Sequence, residues 1–189
     1  MTPTVVVHCR ALGRSLDHIR AHVPDVLVFD APLAPRHAGC IAGHQYAVQL
    51  ARQHGWPAVT VLEDDCQFTS AFSPGQWQAD IDWAAAHGYT LVNGGCIRAA
   101  HPRPVRDGLV AVARFKSAHC VAYLPGAFGV VDRLVYPMDY MLGPLGARAV
   151  VTVPFVAIQA PGVSGHLGRF TDYATEYAER ERVLAGAQP

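Results

Sequence analysis

The apolar positions fall into short blocks whose period changes along the chain. Val5 to Val7 is a β-branched run that predicts a buried strand, and Val26-Leu27-Val28-Phe29, ending at Asp30, predicts a second. Between them, Ser15 to His22 reads as a short helix, with Ser15 as N-cap and Pro24 just beyond its end. Ala31-Pro32-Leu33-Ala34-Pro35 reads as a loop, because its prolines have fixed φ and no amide donor. From Gly39 to His54 the period becomes helical. Ile41, Val48 and Ala51 lie near one another, Gln45, Gln49 and Arg52 fall on another side, and Gly55 supplies a stop. Trp56-Pro57 then leads into the apolar strand Ala58-Val59-Thr60-Val61-Leu62. Strand, helix, strand, helix, strand is the order of a parallel α/β sheet.

The second half is less regular. A helix is expected over Trp77 to His87 with Gly88 as stop, then a short strand over Tyr89 to Val92. Ile97 to Asp107 carries two prolines and three arginines and reads as an exposed loop. Leu109 to Ala113 and Ala118 to Leu124 suit strands of a hairpin or a mixed sheet. A helix over Gly126 to Leu134, a strand over Ala149 to Val153 and a charged terminal helix over Thr171 to Leu184 complete the pattern. No repeat or domain boundary interrupts it, so a single domain over 1–189 is expected.

Composition narrows this only slightly. Fifteen basic residues balance fifteen acidic ones, which offers no electrostatic reason for a polyanion as main partner. The five cysteines, Cys9, Cys40, Cys66, Cys96 and Cys120, include no C-x-x-C pair, so reduced thiols in a cytoplasmic protein are expected. No stretch approaches the roughly 20 apolar residues of a membrane span, and the N-terminus lacks a signal-peptide pattern.

The chemistry concentrates at Glu63-Asp64-Asp65, directly after the apolar strand. Ligands of open α/β sheets gather outside the carboxyl ends of parallel strands. Three consecutive acids there raise one another's pKa unless something positive sits among them. Hard cations such as Mg²⁺ and Mn²⁺ take carboxylate and phosphate oxygens, so such a strand end suits a cation shared with a substrate diphosphate. A solvated acidic turn is the plain alternative.

The stretch Gly39-Cys40-Ile41-Ala42-Gly43-His44-Gln45-Tyr46-Ala47, followed by a helix and Val61-Leu62-Glu63-Asp64-Asp65, resembles the family 25 glycosyltransferases. These are the lipooligosaccharide galactosyltransferase type, with relatives that glycosylate collagen. Gly43 stands where the family pattern has serine, which removes a hydroxyl from that position. Ala118 to Leu124 with Pro125-Gly126-Ala127, Pro137-Met138-Asp139-Tyr140-Met141-Leu142, and Pro154 to Gln159 with Ser164-Gly165-His166 are similar to later family segments in the same order. Cys9 to Arg14 matches loosely, and the chain is shorter than typical members between Asp65 and Ala118.

The resemblance implies an α/β fold of GT-A type, Rossmann-like, with a mixed central sheet. Residues 1–66 would form the nucleotide-binding half and 67–189 the half that completes the metal site and takes the acceptor. It implies a metal-dependent hexosyltransferase of inverting type that uses a nucleoside diphosphate sugar, a UDP-sugar, with Mn²⁺ or Mg²⁺. The acceptor would be a glycan or lipid-linked saccharide. Asp65 and His166 would bind metal. Arg10, Asp30, Glu63 and Asp64 would face the nucleotide, Glu63 on the ribose side. His44 and Ser164 would meet substrate.

Asp139, an isolated acid in a proline-rich aromatic segment, is the candidate general base, with a helix-start role weighed equally. His44 as a packed core histidine remains the ordinary alternative. His119 is expected only to pack. Arg98, Arg103, Arg106 and Arg114 could reach phosphate or acceptor or simply form a solvated face. Three other functions compete: transfer to hydroxymethylated bases of DNA, a non-catalytic nucleotide- or glycan-binding module, and a metal-dependent phosphohydrolase.

Overall fold

The computed structural model describes residues 1–34, 38–135, 138–163 and 169–187. In chain order the first elements are β1 (Thr4–His8), a 3-10 turn (Arg10–Leu12), α1 (Asp17–Arg20), β2 (Val26–Asp30), α2 (Ala38–His54) and β3 (Val59–Glu63). Then come β4 (Cys66–Phe68), α3 (Pro74–Ala86), β5 (Leu91–Asn93), β6 (Arg98–Ala100), β7 (Arg103–Arg106), β8 (Leu109–Val112) and β9 (Arg114–Lys116). The remainder is β10 (Cys120–Tyr123), α4 (Pro125–Val131), α5 (Met138–Leu142), β11 (Ala149–Thr152), β12 (Ala157–Gln159), β13 (Gly162–Val163), β14 (Phe170–Thr171) and α6 (Ala174–Ala185).

Eight strands form one sheet in the order β2-β1-β3-β10-β5-β11-β8-β7. β1 runs parallel to both β2 and β3, as the opening pattern predicts. β10 then lies antiparallel between β3 and β5, and β11 is parallel to β5 but antiparallel to β8. The result is an α/β fold with a mixed central sheet.

Near-continuous apolar strands arise because both faces of this sheet are covered. Alternate side chains of β1 and β3 enter different cores. Val5, Val7, Val59 and Val61 pack on the side of α2, with Ala47, Val48 and Ala51. Val6 and Leu62 pack on the other side with Ile19, Trp77 and Ile81. Trp77 Nε1 also donates to Thr60 Oγ1 at 3.1 Å, which ties α3 to β3. A helix on each face leaves the strand ends as the place for a cleft.

Three expectations change. α1 is shorter than Ser15 to His22, because Ser15 Oγ accepts from the Asp17 amide at 3.1 Å in a local turn and no side chain caps the helix. β3 extends to Glu63, so the first acid belongs to the strand itself. The loop expected over Ile97 to Asp107 contains β6 and β7. Pro104 is tolerated there because β7 is an edge strand and its pairing is irregular between Pro104 and Arg106.

Candidate functional site

The parallel strands β1, β2 and β3 end at one edge of the sheet, at His8, Asp30 and Glu63. Beyond Glu63 the main chain is held on both sides. The Glu63 amide donates to the His119 carbonyl at 2.9 Å, and the Asp64 amide to the Val7 carbonyl at 3.0 Å. A half-open cleft of about 120 Å³ lies at this edge. Its lining includes the apolar Val7, Leu12, Pro32 and Leu33 and the polar Arg14, Glu63, Asp65 and Gln159.

The three acids occupy different environments. Asp64 is buried, and both its oxygens are engaged: Oδ1 accepts from Arg14 Nη1 at 2.5 Å, and Oδ2 accepts from the Cys9 amide at 2.8 Å and lies 3.1 Å from His8 Nδ1. Asp65 is also buried. Its Oδ2 accepts from Gln159 Nε2 at 2.9 Å and stands 3.2 Å from Arg14 Nη1, whereas Oδ1 is buried without a hydrogen-bond partner among the described residues. Burial and the charge of Glu63 push the Asp65 carboxyl up to about 7, against the opposing pull of Arg14 and Gln159.

Glu63 is the reverse case. Burial alone would raise its pKa, but the adjacent His44 ring and the Cys40 thiol outweigh that and hold it down at about 2. Cys40 Sγ donates to Glu63 Oε1 at 3.0 Å, and His44 Nε2 lies 3.6 Å from the same oxygen. The cleft thus presents one firmly ionised acid and one that titrates near neutrality.

The other expected residues among those described do not line this cleft, although the charge of Asp139 reaches Cys40. Arg10 and Asp30 do stand at the ends of β1 and β2, yet they pair with each other at 3.1 Å, with side chains 73% and 55% exposed, and line no part of the cleft wall. His44 is fully buried behind Glu63, with Nδ1 2.8 Å from the Tyr123 hydroxyl. Its contact with the cleft therefore runs through Glu63. Asp139 sits in the first turn of α5, where its oxygens accept from the Ser117 amide at 2.7 Å and the Tyr140 amide at 3.1 Å. That is the helix-start role the sequence offered as its alternative. Ser164 and His166 lie outside the described residues.

Arg103 and Arg106 belong to β7, at the opposite edge of the sheet from β2. Arg106 pairs there with Asp80 and its guanidinium lies 5.2 Å above the Trp83 ring. His119 is buried, with Nδ1 3.2 Å from Ser117 Oγ and 3.1 Å from the Tyr177 hydroxyl, as a packing residue would be.

Two cleft residues carry weight that spacing could not reveal. Arg14 follows the 3-10 turn and folds back over the acids, held also by donation from Nη2 to the Val163 carbonyl at 2.8 Å. Gln159 comes from β12, which pairs with β4 and so returns to the acidic corner. This pairing brings Gln159 to Asp65, and the turn after β1 brings Arg14.

No protein-family model matches the chain, and no curated protein matches it in sequence. Solved structures do resemble it. The crystal structure of A197 from STIV aligns with a TM-score of 0.55 and 11% identity, over 92% of this chain and 100% of that one. A mannose-1-phosphate geranyltransferase from Thermus thermophilus aligns at 0.49 and 13% identity, over 90% and 75%. An apo UDP-glucose pyrophosphorylase aligns at 0.44 and 9% identity, over 90% and 68%. The first likeness bears on the fold alone, and the two weaker ones carry nothing further. The resemblance to family 25 rests on the sequence motifs. No helix among the described residues is long and apolar enough to cross a membrane.

Proposed function

We propose that the chain is a metal-dependent glycosyltransferase of GT-A type that takes a nucleoside diphosphate sugar, a UDP-sugar, as donor. One observation carries the reading: a buried Asp65 oxygen without a partner among the described residues, just beyond the end of a parallel strand, in a cleft lined also by apolar side chains. A carboxylate with a raised pKa and a lone pair left over fits a hard cation such as Mn²⁺ or Mg²⁺. Such an ion, when bound, would supply Lewis-acid neutralisation of the leaving diphosphate.

The chain's own groups would do the rest. The side of Val7, Leu12 and Pro32 offers an apolar surface for a base, and ionised Glu63 an acceptor for ribose hydroxyls. Asp65 would hold the cation, with Arg14 keeping its neighbour Asp64 paired. In this reading Asp64 is scaffold, Arg10 and Asp30 are peripheral to the donor, and Asp139 anchors Ser117 and the start of α5. Residues 1–66 supply most of the donor wall, with Gln159 contributed from beyond that boundary.

A glycan or lipid-linked saccharide remains the proposed acceptor, and the balanced charge favours it over DNA. The test is UDP release from a panel of UDP-sugars with Mn²⁺. Release is expected with the unchanged chain and is expected to fall at least about 100-fold in Asp65→Asn, the scale of a lost electrostatic contact to the reacting group. Equal release by Asp65→Asn would contradict the assignment.

A further inference from the structure

The donor set behind the cleft wall is of a different chemical kind from Asp65. Cys40 and His44 are four residues apart on α2 and therefore share one helix face. Glu63, from the end of β3, meets both. The Cys40 thiol sulfur, a His44 ring nitrogen and a Glu63 carboxylate oxygen all lie within 4.8 Å of one another, with Sγ–Oε1 at 3.0 Å and Nε2–Oε1 at 3.6 Å. Donors bound to one zinc-sized ion at about 2.0–2.3 Å in a tetrahedron are themselves roughly 3.3–3.8 Å apart. The two distances to Glu63 are already near that spacing, and the third is no more than 4.8 Å.

Two further features point to a ligand. His44 Nε2 is fully buried, faces Glu63 and has no hydrogen-bond partner among the described residues. Its other nitrogen, Nδ1, lies 2.8 Å from the Tyr123 hydroxyl, an outer contact of the kind that orients a ligating imidazole. The helix that carries the pair has little freedom to shift. A Cβ on Gly43 would lie 2.5 Å from Val7 Cγ2, so α2 is seated directly on β1 between the two ligands.

We propose that Cys40, His44 and Glu63 bind one zinc-type divalent ion, with a fourth position open to the cleft that Cys40 and Glu63 line. A thiolate, an imidazole and a carboxylate suit zinc, whereas Mg²⁺ and Mn²⁺ prefer all-oxygen sets. Binding displaces the thiol proton to solvent. The resulting site carries no net charge, since thiolate and carboxylate balance the ion. The open position would take water or a phosphate oxygen. The site shares Glu63 with the nucleotide reading, but it needs neither Asp65 nor a donor sugar.

The test uses the full chain, stripped with chelator and titrated with Co²⁺ alone. One equivalent is expected to produce a sulfur-to-cobalt charge-transfer band with the intense visible bands of four-coordinate cobalt, and Zn²⁺ is expected to abolish both. Cys40→Ser should lose the charge-transfer band. Glu63→Gln should weaken binding by about tenfold or more. Cys9→Ser, which removes the cleft's other thiol, and Asp65→Asn should both keep the band. Circular dichroism of each variant shows that it is folded. A folded, unchanged chain without the band at one equivalent overturns the proposal, and so does a band that survives Cys40→Ser. Retention of the band in Asp65→Asn separates this site from the proposed donor cation, whichever of the two fails.

Discussion

Arg14 donates through Nη1 to Asp64 at 2.5 Å and lies 3.2 Å from Asp65, so one guanidinium supplies most of the positive charge that two buried carboxylates meet. Its side chain is only 20% exposed, which limits solvent screening of the pair. Removing one partner of such a pair leaves an uncompensated charge in a poor solvent. Arg14→Ala should therefore cost about 3 kcal/mol in urea unfolding at neutral pH; a cost below about 1 kcal/mol would place the pair among screened surface contacts. His119 makes a prediction with a definite sign. Burial lowers its pKa from 6.5 to about 4, against the pull of Glu63, so the unfolded chain binds more protons between those values. Stability from this group is full above the unfolded pKa and is lost as pH falls toward 4. The chain should be about 2–3 kcal/mol less stable at pH 4.5 than at pH 7.5 on this account alone. In His119→Gln that slope should flatten, and an unchanged slope would assign it to other groups.

At the scale of elements, α2 and β3 do most of the positioning. Their periods were legible in the sequence: α2 spans Ala38–His54 against an expected Gly39 to His54, and β3 differs from its expected strand by one residue. Gly43 shows what the residue pattern concealed. The resemblance implied a lost hydroxyl at that position, and its Cβ direction points at Val7 and Phe29 of the sheet. Gly43→Ser should destabilise by roughly 1–3 kcal/mol through overpacking, read as a lower urea midpoint. A neutral effect would mean that α2 can lift from β1. The expected loop over residues 97–107 failed for a related reason. Prolines and arginines forbid a central strand but not an edge one, and edge position is a property of the assembled sheet. Arg14 and Gln159 were hidden likewise, because each reaches Asp65 across a long sequence separation through loop and ladder contacts.

For the molecule as a whole, the mixed sheet places the three parallel strands β2, β1 and β3 on one side and the arginine-bearing β7 at the far edge. The acidic corner was visible from residue order alone; the division of labour within it was not. Glu63 is tied to Cys40 and His44, Asp64 is consumed by Arg14 and the Cys9 amide, and of the three Asp65 alone keeps a buried oxygen without a partner among the described residues. Burial and hydrogen bonding separate three acids that look equivalent in sequence. The central claim is that this corner holds a nucleoside diphosphate through a cation at Asp65. Thermal unfolding of the chain with UDP, with and without Mn²⁺, tests it most directly. At about 100-fold excess over its dissociation constant, UDP with Mn²⁺ should add roughly 2.7 kcal/mol, or about 5–10 °C in Tm. UDP alone should add far less, and Asp65→Asn should lose the metal-dependent part. A Tm unmoved by UDP with Mn²⁺, or moved equally in Asp65→Asn, would contradict the account.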